Sequence, residues 1–240
     1  MFRSFVSNKI KFTALNKKYY DIVGKPTPAE SMIPSWWKDM PPYTHGNKLI
    51  VESGKSNSSP KRCIPVRDAI VSGYTINLWT DVQIRSLSDS SYQPGLFWKS
   101  GIPVFEENTD ASKMIQTPSG YYPTTFKFVN YWIITTPKGY SISAQSPAGY
   151  DNPFKVVPGI VDTDKYPSGL PFPMWVKEGY EGTLEKGTPL VQILPFKRES
   201  WKSEFDFLED DEFNIIEETT IKSKLSGFYV KNCWTKKEYK

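Results

Sequence analysis

PGIVDTDKYPSG, residues 158–169, carries the apolar pair Ile160 and Val161 into a stretch of Asp, Pro, Ser and Gly, the composition of a strand that ends in a turn. Asp162 and Asp164 stand at that strand end, where two carboxylates can face a common cleft. An aspartate so placed can hold and deprotonate a water, and Tyr166 offers a flat ring on which a base can stack. The same residues also make an ordinary hairpin end, and the segment taken alone favours that reading.

On both sides of this segment the chain repeats one pattern: short β-rich runs punctuated by Gly and Pro. YTINLWTDVQI, GLFWKSGIPVFEE, TFKFVNYWIITT, FKVVPGIVD, PMWVKEGYEGTLEKG and PLVQILPF all fall between about 63 and 196. Many short strands without an intervening helical period predict a mainly β core, with strands through Ile76, Val129, Ile133, Val157, Val161 and Ile193. Residues 1–62 are broken by PTPAESMIPSWWKDMPP and SGKSNSSPKR and read as an irregular Pro- and Trp-containing arm rather than a sheet. The polar loop at Ser53 to Ser59 is too short to separate domains. After Pro195, Trp201, Phe205 and Leu208 recur at i, i+4 and i+7, which predicts an amphipathic helix, and a second helical stretch runs through FNIIEETTIKSKL to a stop at Gly227. Three zones are therefore expected: an arm over 1–62, a β core over 63–196 and a helical extension over 197–240.

Composition narrows the chemistry. Hydrophobic residues make up 38% and aromatic residues 15% of the 240, with 20 prolines, as in a turn-rich globular chain. The net charge of +4 is too balanced to indicate nucleic acid. No apolar run approaches the roughly 18 to 20 residues of a membrane span, and MFRSFVSNKIKF has no secretory core, so a protein neither transmembrane nor secreted is expected. Cys63, Cys233 and the single His45 do not form a spaced zinc motif, and a Ser/His/Asp triad would have to use His45. The tryptophans are expected mainly in the core. Trp36 and Trp37, adjacent in a Pro-bounded arm, are expected to be at least partly buried, since two exposed indoles mark a contact.

Four segments carry a resemblance. Gly159-Ile160-Val161-Asp162-Thr163-Asp164-Lys165-Tyr166 is similar, with one extra residue before the tyrosine, to the strand-end signature of the trimeric dUTPase and dCTP deaminase group. Lys186-Gly187-Thr188-Pro189-Leu190-Val191-Gln192-Ile193, Pro137-Lys138-Gly139-Tyr140-Ser141 and Ser72-Gly73-Tyr74-Thr75-Ile76 resemble three more of its segments, in order. The resemblance implies a β-clip (dUTPase-like) core and a homotrimer with sites completed between subunits. It also implies Asp162 as catalytic base, and Tyr166, Ser141, Gln192 and Lys138 as nucleotide contacts.

Departures from that pattern count against its chemistry. Thr75 stands where the group has an acid, Lys138 and Gly139 stand where it has phosphate-gripping Arg and Ser, and Leu225-Ser226-Gly227-Phe228 is only an echo of its closing arm. Over nearly its full length the chain also resembles a family of unknown function found largely in tailed phages, DUF6065, through Pro34-Ser35-Trp36-Trp37-Lys38, SGYTINLWTD, TPKGYS, GIVDTDKY and GTPLVQILPFKRESWK. The expectation is a phage-encoded binding or assembly protein without catalysis, in the host cytoplasm or virion, with other virion proteins as partners. The alternative is an enzyme that hydrolyses or deaminates a pyrimidine deoxynucleotide, and Mg2+ enters as a cofactor only with that alternative.

Overall fold

The computed structural model describes residues 9–52, 55–88, 90–108, 115–226 and 228–240. Ser53 and Gly54 of the polar loop, and the expected helix stop at Gly227, lie outside the described residues. The chain divides into two compact units, the first made of Met1–Pro41, Ala69–Arg198 and Tyr239–Lys240, the second of Pro42–Asp68 and Glu199–Glu238. The units interleave along the sequence and differ in this from three consecutive zones at 1–62, 63–196 and 197–240.

The fold is mainly β. In chain order the strands begin with β1 (Lys11–Ala14), β2 (Thr27–Pro28), β3 (Val51–Glu52), β4 (Lys55–Ser56), β5 (Tyr74–Asn77), β6 (Val82–Leu87), β7 (Ser90–Phe97) and β8 (Phe105–Asn108). They continue with β9 (Tyr121–Phe128), β10 (Trp132–Thr135), β11 (Tyr140–Gln145), β12 (Phe154–Val156), β13 (Gly159–Val161), β14 (Phe172–Lys177), β15 (Gly182–Leu184) and β16 (Pro189–Lys197). Helices α1 (Lys17–Ile22), α2 (Ser35–Asp39), α3 (Ile64–Val71) and α4 (Asp210–Ser226) complete the regular elements used below.

Every strand pairing among the described residues is antiparallel. In the first unit a five-stranded sheet runs β13-β11-β16-β5-β2 and a four-stranded sheet runs β12-β14-β9-β8. A three-stranded sheet, β15-β6-β7, and the pair β1-β10 accompany them. One apolar cluster holds Ile76, Ile142 and Ile193 from the first sheet together with Phe126, Phe128, Phe154 and Met174 from the second. Each such side chain contributes about 1.5–3 kcal/mol by leaving water, and Phe105 stacks on Phe154 with ring centres 4.7 Å apart. The expected strands through Ile76, Ile133, Val161 and Ile193 are present; Val129 and Val157 each sit one residue past a strand and still donate backbone hydrogen bonds, to Val104 and Pro173.

Two expectations are corrected. Residues 11–14 and 27–28 are not irregular: β1 pairs with β10, and β2 extends the five-stranded sheet beside β5. Ile10, Phe12 and Ala14 alternate with polar residues, and that period of two lets one side of β1 pack on the core. The expected helix over Trp201, Phe205 and Leu208 does not form, because residues 201–209 have no regular structure and α4 begins only at Asp210. Asp210, Asp211 and Glu212 occupy the first turn of α4, where the helix dipole favours negative charge, so the acidic run starts the helix instead of riding on its face.

The two adjacent indoles part company. Trp37 is buried with Ile70 and Val71, while Trp36 is exposed, stands edge-on to Trp37 and donates its ring N–H to the Gly149 carbonyl at 2.7 Å. Trp79, Trp132 and Trp175 are buried. No helix among the described residues is long and apolar enough to cross a membrane.

Candidate functional site

Sheet register assembles the site. β11 pairs with β13 so that Ile142 opposes Val161; one step further along the same register, Ser141 meets Asp162. β11 also pairs with β16, Tyr140 opposite Lys197, and the next step brings Gly139 to Arg198, whose N–H donates to the Gly139 carbonyl at 2.8 Å. Three strand ends thus converge at one end of the five-stranded sheet. The Pro137-Lys138-Gly139-Tyr140 turn closes them, with the Tyr140 N–H on the Pro137 carbonyl and Gly139 at φ 85° supplying the positive dihedral of its third position.

The side chains at this corner form a connected network. Ser141 Oγ donates to Asp162 Oδ1 at 2.7 Å. Arg198 reaches Asp164 with both arms of its guanidinium, Nη1 to Oδ1 at 2.8 Å and Nη2 to Oδ2 at 2.5 Å. Its Nη1 also donates to Ser141 Oγ at 2.9 Å and to the Tyr140 carbonyl at 2.8 Å, and lies 3.3 Å from Asp162 Oδ1. The Gly139 N–H donates to Asp164 Oδ2 at 2.8 Å. After Asp162 the chain turns through Thr163, whose buried hydroxyl meets that of Thr136 at 2.7 Å, and the N–H groups of Lys165 and Tyr166 close on the Asp162 carbonyl.

Burial and charge separate the two carboxylates. The Asp164 side chain is 4% exposed, that of Arg198 29% and that of Asp162 48%. The Arg198 fork, helped by the Gly139 N–H, holds the Asp164 carboxyl well below the usual carboxylate range, and Asp164 raises the Arg198 guanidinium in turn. Asp164 and Arg198 therefore neutralise each other. Asp162 is left with one oxygen held by Ser141 and the other without a hydrogen bond among the described residues.

Of the five residues expected at the site, Ser141 and Asp162 are joined directly. Lys138 and Tyr166 are exposed on the flanking turns. Gln192 lies apart: on β11 and β16 its partner Gln145 is four residues from Ser141, roughly 13 Å at about 3.3 Å per residue. Its buried amide donates to the Ala69 and Ser72 carbonyls at 2.9 and 2.7 Å and accepts the Ala148 N–H at 2.9 Å, so it ties the segment before β5 and the segment after β11 to β16. Gln192→Leu is expected to destabilise the fold by about 2–3 kcal/mol, because the buried Ser72 carbonyl and the part-buried Ala69 carbonyl and Ala148 N–H lose their partner to an apolar side chain. Urea unfolding measures it, and a midpoint equal to the parent's would refute the role. Thr75 is buried beside Gln192 and bonds Thr27 across the strands at 3.1 Å.

Asp164, expected beside Asp162 at the strand end, and Arg198, which no motif singled out, organise the corner. For a divalent cation the donors do not fit: both Asp164 oxygens are engaged, and among the described residues no group of three or more His, Cys, Asp or Glu side chains is arranged to hold a metal. A cavity of about 360 Å3 in the same unit is lined by Tyr150, Asp151, Lys177, Tyr180, Glu185 and Thr188, and contains none of the five expected residues. Comparison with known families matches no family model to this chain, and comparison with curated proteins finds no match.

Proposed function

We propose that this is a phage-encoded binding or assembly protein without catalysis, built on a β-clip, dUTPase-like core. It acts as a homo-oligomer, a trimer by the resemblance, in the host cytoplasm or the virion, where it contacts other virion proteins. One observation carries the reading: the only guanidinium at the strand-end corner among the described residues is already occupied by Asp164, Ser141 and the Tyr140 carbonyl. Cleaving a phosphoanhydride requires donors aimed at the charge that develops on phosphate oxygens, and losing one such donor commonly slows a reaction by ~10² to 10³. Arg198 could serve a phosphate only after leaving a bidentate carboxylate partner, and Ser141 only after leaving Asp162.

The second reading, an enzyme acting on a pyrimidine deoxynucleotide, is favoured by the half-exposed Asp162 carboxylate beside Tyr166. The two readings part in one assay. Incubated with each deoxynucleoside triphosphate and Mg2+, the protein is expected to release neither pyrophosphate nor ammonia above background, and Asp162→Asn to behave like the parent. Turnover that disappears in Asp162→Asn would install the enzyme reading instead.

A further inference from the structure

We infer that residues 201–216 are a docking segment whose partner is a second copy of this chain, an inference that rests on the binding and assembly reading. The segment exposes Trp201 at 89%, Phe205 at 93% and Phe207 at 79%, and Phe213, Ile215 and Ile216 follow, also exposed, on the first turns of α4. Isolated exposed apolar residues are ordinary, but these six and the exposed Leu208, seven large ones within sixteen positions, form a surface of the kind that marks an interaction site.

Both the pattern and the charge of the segment indicate how it docks. Trp201, Phe205 and Phe207 occupy odd positions while Lys202, Glu204 and Asp206 occupy even ones, the period of a strand with one ring-bearing and one charged side. An extended segment of this kind binds by laying its rings on an apolar surface while its main chain pairs with an open sheet edge. Its partner must be basic: residues 199–218 hold nine carboxylates against Lys202 alone, a net charge of −8. The rest of the same chain carries 29 basic and 17 acidic residues, a net +12. A second copy therefore offers the opposite charge at the same concentration, and attraction between the two parts steers the encounter. Glu209 to Glu212, continuous with the ring-bearing stretch, extend the acidic surface into α4.

The test is the mass of the full chain in solution by light scattering, in 0.1 M and then 1 M salt, where the screening length falls from about 10 to about 3 Å. The expected result is a mass at least twice the 27.5 kDa of one chain at 0.1 M salt, reduced at 1 M. Combined Trp201→Ser, Phe205→Ser and Phe207→Ser is expected to lower the mass to that of one chain. Combined Glu204→Lys and Asp206→Lys, which leaves the rings in place, is expected to weaken association at least tenfold. All five side chains are exposed, and unchanged circular dichroism confirms that the variants remain folded. A single-chain mass at 0.1 M salt overturns the proposal and the homo-oligomer together, whereas an oligomer whose mass neither variant changes overturns the proposal alone. Neither outcome bears on nucleotide turnover, which alone decides against the non-catalytic reading.

Discussion

Gly73→Ala is expected to cost about 2–5 kcal/mol of stability and to move the urea midpoint farther than any other single glycine replacement in the first unit. Gly73 leads into β5 with φ at 78°, a conformation that costs an L-residue about 1–2 kcal/mol. A methyl group there would stand 2.0 Å from the Ile193 carbonyl oxygen and 3.3 Å from Leu194 Cδ1. The carbonyl belongs to β16, where Ile193 opposes Tyr74, so relieving the clash means prying apart the central pair of the five-stranded sheet, at a further cost of about 1–3 kcal/mol. The Gly73 carbonyl also accepts the Ala29 N–H, which ties the segment after β2 to the same point. Gly139→Ala is the control. Its φ of 85° is equally left-handed, but nothing lies within 4 Å of the added carbon, so it bears the conformational cost alone. Equal midpoint shifts for the two variants would show that the close approach to β16 carries no energy.

What the sequence disclosed, and what it concealed, follows from how local each feature is. The strands of the β core are legible because β-branched and aromatic residues cluster between Gly and Pro turns, a signal contained within each run. β1 was hidden because its alternation covers only five residues before the Pro-rich stretch that dominates the arm. Trp201, Phe205 and Leu208 satisfy a helical period, but Trp201, Phe205 and Phe207 satisfy a strand period as well, and the structure adopts neither over 201–209. Ser141 and Asp162 could be linked through motifs of a resembling group, whereas Arg198 could not. Its place at the corner depends on the register of β16 against β11, a property of two strands some fifty residues apart in the chain. Gln192 stands inside the run Leu190-Val191-Gln192-Ile193-Leu194, and that apolar setting was the available signal that its amide serves buried backbone groups.

Replacing Arg198 by methionine, which keeps most of the stem and removes the charge, is expected to destabilise the protein most at neutral pH and progressively less in acid. In the parent the Arg198 fork and the Gly139 N–H hold the Asp164 carboxyl far below its ordinary range. A carboxyl depressed in the folded state lends stability that is fully present above its unfolded value of ~3.9 and is lost as the pH falls below that value toward the folded one. Without Arg198 the strongest cause of that depression is gone, and only the Gly139 N–H and Lys165 still favour the carboxylate, against burial. The folded variant then holds the carboxylate less strongly than the parent does, so it has less carboxylate-linked stability to lose as the pH falls. Parent and variant should therefore differ widely in unfolding midpoint at pH 7 and converge as the pH falls below ~4. Asp164→Asn isolates the contribution: combined with Arg198→Met it should flatten the pH dependence of the gap, because no carboxylate is left to strand. A gap that stays constant or widens in acid would mean that Arg198 acts through its packing or its contact with Asp162, and not through the carboxylate it encloses.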